Sequence, residues 1–271
     1  MNAWHGLLGG ANLIAGNDLY TACLSFKLLR KVDADSIVRV VYQFVGALQR
    51  NGQVLSDEWP MTQDKDEVKV FFSIPERASL RPTLDNKAVK WARGELIAEG
   101  ISQPQTLILG AEPTSCATCK CKRRRGYILY TDYVSAECPL RCGDCFDIVP
   151  FYRIPPTSES ETYEHLHFWR KNYQRCDSLQ MNCGVGEKFG MYQISNLSSA
   201  LSEEGLNCCS QVEKVTRKPC FYYLLYYNAR WLNPKSREHC PKCKRPWLLS
   251  EPWHGKFHFR CDRCRLLSNL A

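Results

Sequence analysis

The stretch CPKCKRPWLLSEPWHGKFHFRCDRC, residues 240–264, decides how the chain is read. It holds two Cys-x-x-Cys pairs, Cys240/Cys243 and Cys261/Cys264, with seventeen residues between them. Each pair places two thiolates on one tight turn, and two such turns on neighbouring hairpins surround a single ion with four sulfurs. The alternation Lys256-Phe257-His258-Phe259-Arg260 has the period of a strand, which returns the chain from the first turn to the second. The spacing predicts a zinc ribbon over residues 231–271, entered at Asn233-Pro234. A redox pair is the weaker reading, because one metal explains both pairs at this spacing.

A second constellation lies upstream. Cys116-Ala-Thr-Cys119 and Cys142-Gly-Asp-Cys145 are separated by twenty-two residues. They predict another four-sulfur site, held by Cys116, Cys119, Cys142 and Cys145 in a ribbon-like module over residues 111–157. Cys121 and Cys138 fall in the same segment, as spare thiols, alternative ligands or one side of a less usual cluster. The expected content is two Zn2+ per chain. Cys23, Cys176, Cys183, Cys208, Cys209 and Cys220 read as small buried apolar side chains. Sixteen cysteines with this pairing point to metal rather than disulfides, and hence to a reducing, cytoplasmic setting.

Ahead of the cysteines the chain alternates strand and helix. Residues 19–29 read as a strand and residues 33–49 as a helix, with Ile37, Val38, Val41, Phe44, Val45 and Leu48 on one face and Asp33 as cap. Short strands are expected at 53–55 and 68–74, a helix at 85–99 with Gly100 as C-cap, and a strand at 105–109. The order β-α-β-β-α-β is that of a ferredoxin-like, split β-α-β domain over residues 1–110. Between the two cysteine modules, residues 158–230 read as a helical region, with helices at 163–173, 187–194 and 198–216 and caps at Ser198 or Ser202. An aromatic strand at 222–227 is expected to pack between the helices and the ribbon. The fold class is therefore α+β.

The charge is uneven. The whole chain carries +8, and residues 219–271 hold ten basic against three acidic side chains, a net of +7. One ion held by four thiolates adds −2, so a filled ribbon retains about +5. Lys242, Lys244, Arg245, Arg260, Arg263 and Arg265 decorate this module, and Arg123, Arg124 and Arg125 form a run beside the first. With Trp247, Trp253, Phe257 and Phe259 among them, these cations suit phosphate contact and base stacking, or else the aromatics make the small core and the cations solvate its surface. No apolar run approaches the roughly 18–20 residues that span a bilayer. No Walker A, HExxH, GxSxG or dinucleotide fingerprint occurs. Two complete thiolate quartets leave no open coordination position, so no catalytic residue is expected and the protein reads as a non-enzyme.

Several further motifs carry a resemblance. They are Asn51-Gly52-Gln53, the run 140–155 through Cys142 and Cys145, Cys176-Asp177-Ser178-Leu179-Gln180, Gly205-Leu206, Tyr222-Tyr223-Leu224 and the closing Cys240/Cys243 and Cys261/Cys264 pairs. Along nearly its whole length the chain resembles a bacterial family of zinc-ribbon-containing proteins of unknown function to which nucleic-acid binding is ascribed. The resemblance implies a zinc ribbon and a nucleic-acid partner and supplies no catalytic residue. Residues 1–16, Gly-rich and apolar, read as an extension ahead of the first strand or as a misplaced start. The leading reading is a zinc-stabilised cytoplasmic protein that binds nucleic acid through its basic ribbon. A protein-interaction or immunity-like inhibitor module comes second, favoured by the neutral balance of residues 1–110 and 151–218, and a zinc-dependent enzyme third.

Overall fold

Alternating burial along two strands sets the first layer. In β1 (Tyr20–Lys27), Ala22, Leu24 and Phe26 are buried; in β3 (Glu67–Ile74), so are Val68, Val70, Phe72 and Ile74. This is the period-2 pattern of a sheet with one covered face. The cover is α1 (Ala34–Arg50), whose Ile37, Val41, Phe44, Val45 and Leu48 enter the same core. Asp33 starts this helix by accepting the Ser36 N–H at 2.9 Å. Packed beside it is α2 (Lys87–Glu99), closed by Gly100 at φ 89°. With β2 (Met61–Asp64) and β4 (Gln105–Ala111), the sheet runs β2-β3-β1-β4, and every neighbouring pair is antiparallel. The structure is a computed structural model and describes residues 18–182, 184–225 and 239–269. The expected N-terminal extension, Cys183, the end of the aromatic strand at 226–227 and the Asn233-Pro234 entry lie outside the described residues.

One strand is not where the sequence suggested. The second strand was expected at 53–55 and lies at Met61–Asp64. Residues 51–55 are buried for a different reason. Asn51 Nδ2 donates to Gln53 Oε1 (2.7 Å) and to Leu84 O (2.8 Å), and Gln53 Nε2 donates to Ser79 O (2.8 Å). The apolar side chains that follow sit between layers rather than on a ladder.

The second layer is a six-stranded sheet of order β6-β5-β7-β10-β9-β8. Its members are β5 (Tyr127–Leu129), β6 (Leu140–Cys142), β7 (Cys220–Tyr223), β8 (Leu248–Trp253), β9 (Phe257–Cys261) and β10 (Leu266–Ser268). Both cysteine-bearing segments thus belong to one sheet, joined by β7, which pairs in parallel with β5 and with β10. The helices α3 (Glu164–Met181), α4 (Glu187–Ser195) and α5 (Ala200–Thr216) pack on it. The first runs eight residues beyond the expected 173, and the last is capped by Ser199, which accepts the Ser202 N–H at 3.1 Å, rather than by Ser198 or Ser202. The two faces of β7 serve different partners. Tyr222 meets Trp169 and Ser202 on the helical side, and Tyr223 meets Tyr130 and Phe257 on the other. The layers are joined by Arg170 Nη2 donating to Leu55 O (2.6 Å), Tyr163 N–H donating to Arg50 O (2.8 Å) and Tyr152 O–H donating to Glu76 (2.8 Å).

Two helical glycines test this packing in opposite directions. A Cβ on Gly205 would run into Tyr222 and the Trp169 indole, whereas a Cβ on Gly94 meets nothing. Gly205→Ala is expected to destabilise by about 1–3 kcal/mol through overpacking. Gly94→Ala is expected to stabilise by about 0.5–1 kcal/mol, the ordinary helix-propensity gain. Urea unfolding of the two variants reads both signs.

Candidate metal centres

Two groups of four thiols are assembled, and in each the sulfurs lie within 4.8 Å of one another. Four sulfurs about 2.3 Å from a central ion would stand about 3.8 Å apart, so the spread fits a tetrahedral site. In the C-terminal group, Cys240, Cys243, Cys261 and Cys264 come together as expected, and Cys243 and Cys261 sulfurs are 3.6 Å apart. The other group contains Cys119, Cys121, Cys142 and Cys145. Cys121 stands where Cys116 was expected.

The reason lies in the turns. After Cys145, Cys243 and Cys264 the chain enters the left-handed region, at Phe146 (φ 65°), Lys244 (φ 60°) and Arg265 (φ 55°). In two of these turns the N–H of that residue donates to the carbonyl of the first cysteine, Phe146 to Cys142 and Lys244 to Cys240, each at 2.9 Å. No such turn forms at Cys116-x-x-Cys119. Thr118 is drawn towards Asp18, which accepts both its N–H and its hydroxyl at 2.8 Å, and the Cys116 N–H is taken by Glu137. The Cys119 N–H instead donates to Ile148 O at 2.8 Å, which sets Cys119-Lys120-Cys121 beside the Cys142–Cys145 turn. A Cys-x-Cys spacing was the only sequence signal for this ligand. Cys138, the other extra cysteine, is fully buried and donates to Val149 O.

Each group is electrostatically uneven before an ion enters. Burial raises Cys119, but donation from Arg124 Nε at 3.2 Å, the Cys121 backbone and Cys142 outweighs it and lowers the thiol. Burial pushes Cys142 up to about 11. Backbone donation from Arg245 brings Cys243 down to about 7, while burial and its sister thiols push Cys264 up to about 12. A cation held there would have to displace the protons on the raised members, so its retention would fall as pH falls.

Strand register brings the two groups to one end of the sheet. Cys142 pairs with Tyr127, Tyr127 with Cys220, Leu266 with Tyr222 and Cys261 with Leu266. The parallel strands β5, β7 and β10 therefore all begin at the end where the cysteine turns sit. The expected nucleic-acid residues collect there, but several already have work. Arg124 donates to Cys119, and Arg125 holds Asp144 through its N–H (2.8 Å) and Nε (2.5 Å). That backbone N–H, then the side chain, keeps the Asp144 carboxyl below its usual range. Arg260 lies 4.3 Å over the Trp253 ring and 4.8 Å over Phe221, and pairs with Asp262. Arg265 pairs with Glu213 at 3.0 Å, and Lys244 Nζ donates to Pro241 O. Arg123, Lys242, Arg245 and Arg263 are exposed and form no ion pair among the described residues. A cleft of about 600 Å³ separates the C-terminal group from α5, with Lys242, Arg263 and Arg265 on one wall and Glu213, Ser210 and Cys209 on the other. Sequence reasoning also missed the hairpin tip of β8 and β9, where His254 Nε2 meets Gly143 O at 3.1 Å and ties the two cysteine segments together.

Three family profiles match successive lengths of the chain, each described as a domain of unknown function: DUF8589 over residues 19–110, DUF2310 over 121–226 and DUF8594 over 230–271. An uncharacterised protein of Haemophilus influenzae is 30% identical over 241 residues, which cover 88% of this chain and 92% of that protein. The chain belongs to that protein's family. Another uncharacterised H. influenzae protein is 35% identical over 144 residues, covering 53% of this chain and 70% of that one. In this family member no helix among the described residues is long and apolar enough to cross a membrane.

Single substitutions separate the two ligand sets. Cys121→Ser is expected to lose one metal equivalent per chain, as is Cys261→Ser, whereas Cys116→Ser keeps both. Elemental analysis of untagged protein after gel filtration reads the stoichiometry. Loss of metal from Cys116→Ser, with Cys121→Ser intact, would return Cys116 to the ligand set.

Proposed function

We propose that the protein is a zinc-stabilised, non-enzymatic cytoplasmic protein that binds nucleic acid along the end of the second sheet where both cysteine groups lie. All-thiolate donors in two tetrahedral quartets suit Zn2+ in structural sites with no open position. The ion would be held by Cys119, Cys121, Cys142 and Cys145 in one site and by Cys240, Cys243, Cys261 and Cys264 in the other. The β8–β10 unit with its two knuckles supports the zinc-ribbon reading. The strand order β2-β3-β1-β4 with one helix in each crossover supports a ferredoxin-like first layer.

One observation carries the partner. Lys242 and Arg263, both exposed, line the cleft beside Cys243 and Cys264, and exposed Arg123 follows Cys121 of the first group by two residues, more than a hundred residues away in sequence. The engaged arginines hold the turns, and the exposed ones remain available for phosphate. Trp253 lies against Arg260 and Phe221 in the sheet, which makes phosphate contact the larger contribution and base stacking the smaller one.

Fluorescence anisotropy with labelled single- and double-stranded DNA and RNA across a salt series tests the reading. Three or four phosphate contacts give a log–log slope of about −2 to −4. Replacing Lys242 and Arg263 together by Ala is expected to lower that slope by about one to two units while both metal equivalents stay bound. Failure of all four probes at low salt, with metal present, would replace this reading by a protein-interaction surface.

A further inference from the structure

Cys116, expelled from the metal set, stands in a setting of its own. Among the described cysteines outside the two four-sulfur groups it is the exposed one; Cys23, Cys138, Cys176, Cys208, Cys209 and Cys220 are all buried. It lines a cleft of about 350 Å³ together with Glu137, Arg141, Tyr130, Asp132 and Lys256. The floor of that cleft is unusual. The Arg141 side chain is 4% exposed and its Nη2 pairs with Glu137, yet Nε and Nη1 donate to nothing. A buried guanidinium with two N–H groups unmet is costly, and the missing groups are oxygen acceptors. The Cys116 sulfur, a weak acceptor, is the group that faces the guanidinium, which also lies 5.6 Å over the Phe146 ring; no oxygen acceptor among the described residues meets Nε or Nη1.

We propose that Cys116 is a site of oxidation by hydroperoxides, and that Arg141 receives the oxygen placed on its sulfur. The step is Cys116–SH + H2O2 → Cys116–SOH + H2O. A sulfur lone pair attacks one peroxide oxygen, the S–O bond forms and the O–O bond breaks, and the departing hydroxide leaves as water with the thiol proton. Sulfur is oxidised and peroxide reduced. The sulfenic oxygen then lies where the unmet Arg141 N–H groups require an acceptor, and a charged donor makes the stronger hydrogen bond. Burial holds the thiol above its ordinary pKa against the pull of Arg141, so the thiolate fraction is small and the reaction is slow. Cys138, the other free thiol of this segment, is buried and donates to Val149 O.

The test uses full-length protein shown beforehand to carry two metal equivalents. It is treated with limiting hydrogen peroxide and a cyclic 1,3-diketone that traps sulfenic acid, then digested and sequenced by mass spectrometry. Fragment ions assign the residue, because Cys116 and Cys119 share a tryptic peptide. Trapped adduct is expected on Cys116 at about tenfold or more over Cys23, Cys176 or any metal-group cysteine. Cys116→Ser removes it and keeps both metals, and Arg141→Lys, which retains charge but loses the planar donors, lowers its yield. Adduct spread evenly over the cysteines, or concentrated on the four-sulfur groups, overturns the proposal. Unchanged yield in Arg141→Lys overturns the part assigned to Arg141. Site mapping on the unaltered chain stands if that variant does not fold. Metal loss from Cys116→Ser would instead identify the residue as a ligand, whatever the protein binds.

Discussion

The pairing of β7 on both edges holds the second layer together. Its residues Cys220, Phe221, Tyr222 and Tyr223 are all buried, and parallel ladders join them to β5 on one side and β10 on the other. Parallel strands are expected to be covered on both faces, and here the two covers differ in kind. On one face Trp169, Gly205 and Ser202 of the helices receive Tyr222. On the other the aromatic group Tyr130, Phe146, Tyr223 and Phe257 closes over the strand. Without β7 the two cysteine segments would share no ladder, and the His254 contact with Gly143 O would be left to orient them.

How much of this was legible depends on whether the signal was local. Asp33 before Ser36, Gly100 after Glu99, and the alternation through β3 are local, and they placed α1, α2 and β3 within a residue or two. The C-terminal quartet was legible because both of its turns carry their own spacing. The first quartet was not, because a pair of cysteines three apart forms a metal turn only if its backbone is free to curl. That freedom was removed by Asp18, about a hundred residues away in sequence, holding Thr118. The strand misplaced at 53–55 failed in the same way. Gln53, Val54 and Leu55 are buried, but off any ladder: Asn51 and Gln53 are held in a polar network with Ser79, Asp85 and Leu84 that no short window contains.

Charge counting had a similar limit. The excess of +7 in residues 219–271 is real, yet several of the cations counted from sequence are spent on the fold. Arg260 lies between aromatic rings and Asp262, and Arg265 reaches back to Glu213 on α5. Arg124 and Arg125 act on a cysteine and on the turn that carries two more. What distinguishes these from Lys242 and Arg263 is not residue type but whether a partner group comes within reach.

The parallel register of β7 also imposes an order of events during synthesis. The hairpin of β5 and β6 and the thiols of its quartet all lie before residue 146, so this half can close around an ion early. β7 is made next, with one edge met by β5 and the other bare until residues 266–268 have emerged. An unpaired edge on a buried, aromatic strand is a hazard for any nascent chain. The C-terminal quartet is complete only at Cys264, so its assembly and the covering of that edge coincide in time.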